Sequence, residues 1–186
     1  EADDEMRGST TFERIQSADH PAFEKAFGLY ETAFPLHERR TREKQVGVMS
    51  HPEYHFTLIW EGETFAGILL FWEGPDFRYV EHFAISEALR GKGLGAEALR
   101  LLQREGKDLL LEIDPPVEEV SIRRQHFYEK QGFRANPWQH IHPPYRPGFR
   151  GHELVVMTWP EGWTKERYDR FADYLKGTVM ADCGEI

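Results

Sequence analysis

A run of three glycines in six residues, placed between a strand-like and a helix-like segment, constrains the fold most. The run reads Arg-Gly-Lys-Gly-Leu-Gly over Arg90–Gly95, called here the glycine loop, and a helical stripe of leucines begins at Leu94. Glycine adopts positive φ without a steric penalty, and the free N–H groups at the start of a helix bind anions. Since Arg90 and Lys92 add positive charge, the glycine loop is predicted to cradle a pyrophosphate group.

Two common phosphate-binding motifs do not match the glycine loop. A P-loop requires Gly-Lys followed by Ser or Thr, and the dinucleotide-binding fingerprint places its third glycine one residue later than Gly95. Taken alone, the string is equally typical of a glycine-rich turn that carries surface charges.

The remaining pattern predicts alternating strands and helices. Alternation and turn residues predict strands at 10–15, 54–60, 64–72, 77–85, 109–113 and 153–159. Helical spacing of apolar residues predicts helices near 23–34, 94–102, 120–128 and 168–175, and the charged stretch Glu38–Lys44 predicts a solvent-facing helix. We expect an α/β (α+β) fold with a mixed, mostly antiparallel sheet flanked by helices on both faces.

Composition argues against several classes of protein. The chain carries 32 acidic and 23 basic residues, whereas a nucleic-acid binder needs a basic face. A single cysteine, Cys183, allows no intrachain disulfide; it is expected to lie in a polar tail and to be a poor nucleophile. No apolar run is long enough to span a membrane, and the acidic start differs from a secretory signal. We expect a cytoplasmic protein, monomeric or homodimeric, in which residues 7–186 form one domain and residues 1–6 lie outside it, Met6 being the candidate first residue.

Neighbouring sequence connects the glycine loop to a known family. The string Val80–Ser86, followed by the glycine loop, resembles the acetyl-CoA-binding segment of the GNAT superfamily of N-acyltransferases. The family signature, Gln/Arg-x-x-Gly-x-Gly/Ala, is matched by Arg90, Gly93 and Gly95. Downstream, Arg124–Phe133 looks like the helix that carries the family's frequent catalytic tyrosine. Two motifs in this order, with a strand between them, are far more specific than either motif alone.

The resemblance implies an N-acetyltransferase that moves an acetyl group from acetyl-CoA to a primary amine, by direct transfer in a ternary complex without a metal. The acceptor is expected to be a small molecule. In the family, strand four separates from strand five and the pantetheine pairs with the open edge. This assigns cofactor contacts to Phe83, Ala84, Ile85, Arg90, Gly91, Lys92, Gly93, Leu94 and Gly95. Many relatives have a cofactor-contacting asparagine seven residues before the tyrosine, and here that position is Ser121.

The chemistry needs a proton donor for the departing thiolate and a base for the amine. Tyr128 occupies the place of the family's tyrosine and is the expected acid, although a core aromatic is the alternative. Glu81 is the candidate base, with an ion pair to Arg78 or another cation at the sheet surface as the alternative. Strict strand alternation puts Glu81 on the face of Phe83 and the competing base, His82, on the opposite face.

The segment Asn136–Gly148, which is rich in proline, histidine and aromatic side chains, is expected to wall the acceptor pocket, and a structural loop that covers the end of the sheet is the alternative. The loop after the first helix is expected to line the same pocket. The expected acceptor-binding residues are Glu38, His140, His142 and Tyr145. A metal-dependent hydrolase built on His140, His142 and His152 is a rival enzyme. A non-catalytic CoA-binding module of the same fold is the rival from another class.

Overall fold

The computed structural model describes residues 9–183, so the expectation about residues 1–6 lies outside the described residues. Within residues 9–183 there are eight strands and five α-helices. The strands are β1 (Thr10–Ile15), β2 (Tyr54–Glu61), β3 (Thr64–Glu73), β4 (Arg78–Ile85), β5 (Leu109–Ile113), β6 (Arg134–Ala135), β7 (His140–His142) and β8 (His152–Trp159). The helices are α1 (Phe23–Ala33), α2 (Arg42–Val48), α3 (Leu94–Arg104), α4 (Glu119–Lys130) and α5 (Lys165–Tyr174). No helix in this part of the chain has both the length and the apolar character needed to cross a bilayer.

The strands form a mixed sheet in the order β1-β2-β3-β4-β5-β8-β6, with β7 paired to β8. Short turns join β2, β3 and β4, which are antiparallel neighbours. β1 also pairs antiparallel with β2, although α1 and α2 lie between these two strands in the chain. The connection from β4 to β5 contains α3, and this crossover makes the pair parallel. All other pairs are antiparallel. The predicted α/β (α+β) class, with a mostly antiparallel sheet, is confirmed.

Helices cover both faces of the sheet. On one face, α1 and α5 bury Phe23 and Phe171 in an apolar cluster that includes Trp72 of β3. On the other face, α3 buries Leu102 in a second cluster with Leu69 of β3, and α4 packs against the same cluster. Since β3 is buried on both faces, its sequence is a continuous apolar run rather than an alternating one.

Strands β4 and β5 pair only near their starts. Arg78 lies opposite Leu109 and Val80 opposite Leu111, and the parallel pairing stops there. Residues 82–85 of β4 still pair with β3, but residues 81–85 have no strand partner on the β5 side within the described residues. The separation of strands implied by the family resemblance is therefore present, and it opens a cleft along one edge of β4.

The charged stretch after α1 differs from its prediction. The helix begins at Arg42 rather than Glu38, because the Thr41 side chain accepts a hydrogen bond from the Lys44 N–H at 3.3 Å and caps it there. The preceding residue, Arg40, is completely buried rather than solvated. The prediction of a solvent-facing helix is wrong for this part of the chain.

Candidate active site

Two adjoining cavities lie along the unpaired half of β4. The larger, about 670 Å³, lies between the separated ends of β4 and β5, and its walls include Glu38, His142 and Tyr145. The smaller, about 430 Å³, lies between the end of β4 and α4. Residues 83–85 and Tyr128 line both cavities, so this is where the two cavities meet.

The glycine loop adopts the backbone predicted for it. Gly91 and Gly93 have φ values of 80° and 78°, a region that suits glycine because it lacks a Cβ. The first bond of α3 joins the Glu97 N–H to the Gly93 carbonyl at 3.1 Å, so the N–H groups of residues 94–96 are not used within the helix. Arg90 lines both cavities beside them. Together these donors form a site for an anionic group such as a pyrophosphate.

The predicted cofactor contacts on β4 fall where the cavities meet. The residues of β4 that line both cavities include Phe83, Ala84 and Ile85. Ser121 lies in the first turn of α4 and lines neither cavity, so its contact with a cofactor stays a prediction. Sequence reasoning missed Arg123 and Arg124 of α4, which line the smaller cavity. Arg124 precedes Tyr128 by one helical turn, and this spacing was the available signal.

Tyr128 lies at the junction of the two cavities. Its side chain is half-buried, and burial raises the pKa of Tyr128 to about 12, opposed only in part by the charge of Arg124. The Tyr128 hydroxyl forms no hydrogen bond with residues 9–183. A phenol that stays protonated at neutral pH and has no competing acceptor in the described chain is available to a ligand.

Glu81 lies beside the larger cavity as a fully buried anion. Its carboxylate accepts hydrogen bonds from Arg40 Nη1 at 2.7 Å, Trp72 Nε1 at 2.8 Å and the Tyr145 hydroxyl at 2.7 Å. Burial alone would raise the pKa of Glu81, but the Arg40 charge and these hydrogen bonds lower it to about 2. Glu81 is thus paired to a cation, as the alternative expected, and that cation is Arg40 rather than Arg78. A carboxylate held this way is a weak base, and the geometry does not favour the base role predicted for Glu81.

A β-bulge places His82 on the same face as Glu81. Leu70 of β3 lies opposite His82 and Phe71 lies opposite Val80, so Glu81 is an extra residue in β4. Both Glu81 and His82 contact Tyr145, one by a hydrogen bond and the other by a ring contact. The prediction of opposite faces is therefore wrong, because strict alternation does not allow for the bulge.

The His82 ring is buried and neutral. Its Nε2–H donates to the Glu38 carbonyl at 2.8 Å, and its Nδ1 has no partner among the described residues. The ring makes edge contacts with Tyr30 and Phe34 of the first helix and the loop after it. Burial lowers the pKa of His82 to about 4, although the Glu81 charge opposes this.

We expect His82 to make the fold sensitive to acid. Its pKa is about 4 when folded and near 6.5 when unfolded, so between these values the unfolded chain binds the additional proton and stability falls as pH falls. Between pH 7 and pH 5, the titration of His82 should lower the free energy of unfolding by roughly 2 kcal/mol. His82→Gln keeps a donor for the Glu38 carbonyl and removes the titration. Urea unfolding at pH 7 and pH 5 measures the decrease in the free energy of unfolding between the two pH values. This decrease should be smaller in His82→Gln than in the unmodified protein by about that amount. Equal decreases in the two proteins would contradict a lowered pKa for His82 in the folded state.

Arg40 holds three segments of the chain against the larger cavity. Besides the Glu81 carboxylate, its guanidinium donates to the Val179 carbonyl at 2.7 Å and to the Asp182 carboxylate at 3.2 Å. The loop after α1, the bulge of β4 and the segment after α5 therefore converge on one buried cation. Removing one partner of a buried ion pair typically costs about 3–5 kcal/mol, because the other charge is left without compensation. The network fixes this wall of the cavity, and sequence reasoning missed it because Arg40 and Glu81 are 41 residues apart.

Three of the four predicted acceptor-binding residues line the larger cavity: Glu38, His142 and Tyr145. Burial raises the pKa of the half-buried Glu38, and the nearby Asp114 carboxylate adds to the rise. His140 lines neither cavity, because its Nδ1 is bonded to the Tyr168 hydroxyl at 2.7 Å and its Nε2 to the Glu112 carboxylate at 2.5 Å. This corrects the prediction for His140, whose ring is a bonded part of the core.

The rival chemistries receive little support from the geometry. Among residues 9–183, no three His, Cys, Asp or Glu side chains converge in a way that could hold a metal ion. The hydrolase alternative needed His140, whose ring nitrogens are both bonded to protein groups. Cys183 packs against the core instead of lying in a free polar tail, and burial raises the pKa of its thiol to about 12. The thiol is therefore a weak nucleophile at neutral pH.

Comparison with known proteins agrees with this geometry. The sequence profile of the "Acetyltransferase (GNAT) family" matches residues 12–133. YjbC of Bacillus subtilis (strain 168), named as a candidate acetyltransferase, is 28% identical over 105 residues, which are 54% of this chain and 52% of YjbC. The alignment thus spans about half the length of that curated relative.

Solved structures share the fold over most of the chain. A GNAT-family protein of Bacteroides thetaiotaomicron superimposes with a TM-score of 0.83 at 26% identity, covering 95% of this chain and 99% of that one. A GNAT family acetyltransferase of Elizabethkingia anophelis, solved with acetyl-CoA bound, has a TM-score of 0.53 at 14% identity and covers 81% of this chain and 97% of that one. The profile match, the sheet with its separated strands and the glycine loop lead to one conclusion: this chain belongs to the GNAT family of acetyltransferases.

Proposed function

We propose that the protein transfers the acetyl group of acetyl-CoA to the primary amine of a small molecule, directly and within a ternary complex. One observation carries the proposal: the cleft between β4 and β5 joins two cavities at Tyr128, with the glycine loop on one side and a carboxylate-lined pocket on the other. A structural neighbour that was solved with acetyl-CoA bound supports the choice of acyl donor.

The acyl donor, acetyl-CoA, fits the residues along the open edge of β4. The N–H groups at the start of α3, with Arg90, would hold the pyrophosphate, and Arg123 and Arg124 add positive charge along the smaller cavity. The unpaired backbone of residues 83–85 offers donors and acceptors to the amides of the pantetheine arm. One of these N–H groups would stabilise the oxyanion that forms on the thioester carbon.

The acceptor would occupy the larger cavity from the opposite side. Its walls carry the carboxylates of Glu38 and Asp114, and the pKa of Glu38 is raised by burial and by its like-charged neighbour. A cationic amine placed between them would relieve that repulsion. The cavity volume of about 670 Å³ suits a small molecule rather than a folded protein surface.

Acetyl transfer then needs three events at the junction of the cavities. The amine loses a proton, its lone pair forms the N–C bond, and the C–S bond breaks with its electron pair on sulfur. Tyr128 would give its phenolic proton to that sulfur. Glu81 would act as a positioning residue, since its carboxylate is committed to Arg40 and orients the Tyr145 hydroxyl.

The test is an assay of free thiol release from acetyl-CoA with a panel of primary amines: n-butylamine, tyramine, putrescine and L-lysine. We expect turnover with at least one amine, formation of the N-acetylated product by mass spectrometry, and thiol release at least tenfold slower without an amine. CoA binding without turnover on any member of the panel would contradict the proposal and favour a non-catalytic CoA-binding module.

A further inference from the structure

We propose that His142 is the base that accepts the proton of the amine, and that Tyr145, Glu81 and Arg40 form the chain that positions it. This inference rests on the proposed acetyl transfer and names the proton acceptor which that reaction requires. His142 lies on β7 in the wall of the larger cavity, where the amine would bind, and its side chain is 2% exposed.

The hydrogen bonds of His142 define which nitrogen is available. Its Nδ1 lies 2.6 Å from the Pro143 carbonyl oxygen, which can only accept, so the proton of the neutral ring is on Nδ1. The Nε2 lone pair is therefore the one that remains for a proton. The ring stacks on Tyr145, with centroids 4.9 Å apart and planes at 25°, which holds its orientation.

The Tyr145 hydroxyl oxygen lies near His142 Nε2, and its own proton is donated elsewhere. The Tyr145 hydroxyl donates to Glu81 at 2.7 Å, and Glu81 is kept anionic by Arg40. The same oxygen lies 3.4 Å from His142 Nε2. In the neutral state two lone pairs face each other there, whereas a proton taken up at Nε2 finds an acceptor in the Tyr145 oxygen.

The surroundings of His142 contain more negative than positive charge. Titratable and charged groups from every element packed around the His142 ring interact with it. Three of them are Glu112 on β5, Glu38 in the loop after α1 and His152 on β8. The others, His82, Glu81 and Arg40, lie on the far side of Tyr145. Since Glu81 and Asp182 offset the charge of Arg40, the carboxylates of Glu112 and Glu38 remain to balance a charge on the ring. An imidazolium formed during the reaction is thus surrounded by compensating charge.

Other residues at the cavity are less suited to this role. Glu81 accepts three hydrogen bonds, and burial lowers the pKa of His82 to about 4, so its free Nδ1 is a weak base near neutral pH. His152 also lines the cavity and is the remaining histidine rival; burial lowers its pKa.

The proton balance closes with these residues. The cationic amine first loses one proton to solvent, which frees its lone pair. His142 Nε2 then takes a second proton from the nitrogen as the N–C bond forms, and the Tyr128 proton goes to the sulfur as the C–S bond breaks. The imidazolium and the phenolate that remain are neutralised when one proton passes between them through solvent. The products are the N-acetylated amine and free CoA.

The test compares His142→Gln with His152→Gln on the panel amine that has the highest turnover, over pH 5.5 to 9. We expect His142→Gln to lower kcat about 100-fold, to abolish the acid limb of the kcat profile and to change the dissociation constant for CoA less than twofold. Added imidazole should restore part of the rate of His142→Ala. His152→Gln should keep the acid limb, and Tyr145→Phe should move it to lower pH.

Two further results separate this inference from the proposed function. ¹⁵N NMR of labelled His142 needs no turnover and should show the tautomer protonated at Nδ1; a proton on Nε2 would overturn the inference. An unchanged acid limb in His142→Gln, or its loss in His152→Gln instead, would overturn it while leaving acetyl transfer intact. No turnover by the unmodified protein would overturn the proposed function and this inference with it.

Discussion

Tyr128→Phe is expected to lower kcat for acetyl transfer about 100-fold, equivalent to about 2.7 kcal/mol of transition-state stabilisation. The variant keeps the ring between the two cavities and removes only the hydroxyl, which has no partner among residues 9–183. Folding and CoA affinity should therefore change little, and the loss should fall on the protonation of the thiolate. Steady-state kinetics with saturating acetyl-CoA would measure it.

The matched control is Tyr174→Phe, which removes a hydroxyl bonded to Glu53 at 2.9 Å and lines neither cavity. Its kcat should stay within twofold of the unmodified protein. Because burial raises the pKa of Tyr128 to about 12, the Tyr128 hydroxyl stays protonated well above neutral pH. Deprotonation of Tyr128 should therefore add no alkaline limb to the kcat profile of the unmodified protein below about pH 10. Equal kcat values for the two variants would show that the thiolate leaves without help from Tyr128.

The glycine loop and the positions of most strands were predictable because their signals are local. Positive φ at Gly91 and Gly93, followed directly by the first turn of α3, depends on residue types within a few positions. The ends of β5 were likewise predicted, from a short apolar run that stops before Asp114, Pro115 and Pro116.

The surroundings of the acceptor cavity were not predictable, because they depend on long-range contacts. A single extra residue at Glu81 breaks the alternation of β4, and no period of two can reveal it. Arg40 lies in a stretch that is otherwise charged and exposed, yet it is buried by partners 41 and 142 residues away. His140 and His142 share one short strand, but only tertiary packing decides that one bonds to Glu112 and the other faces the cavity.

Gly93→Asp is expected to weaken CoA binding at least 50-fold. Gly93 is the N-cap of α3, with φ of 78° and open space around the position of a Cβ. An aspartate there would offer its carboxylate to the same N–H groups that are expected to bind the pyrophosphate, and its charge would repel the phosphates. Gly106→Asp is the control, because Gly106 follows the other end of α3 with the same φ and equally open surroundings. The two variants share the cost of a side chain at positive φ and lie at opposite ends of α3, of which only the start adjoins the smaller cavity.

Calorimetric titration of the unmodified protein, Gly93→Asp and Gly106→Asp with CoA and with acetyl-CoA tests the central claim most directly. We expect one binding site per chain, an affinity at least 50-fold weaker in Gly93→Asp, and an affinity in Gly106→Asp within twofold of that of the unmodified protein. Absence of binding to the unmodified protein, or the same affinity in both variants, would contradict a donor site at the glycine loop and remove the basis for acetyl transfer in this cleft.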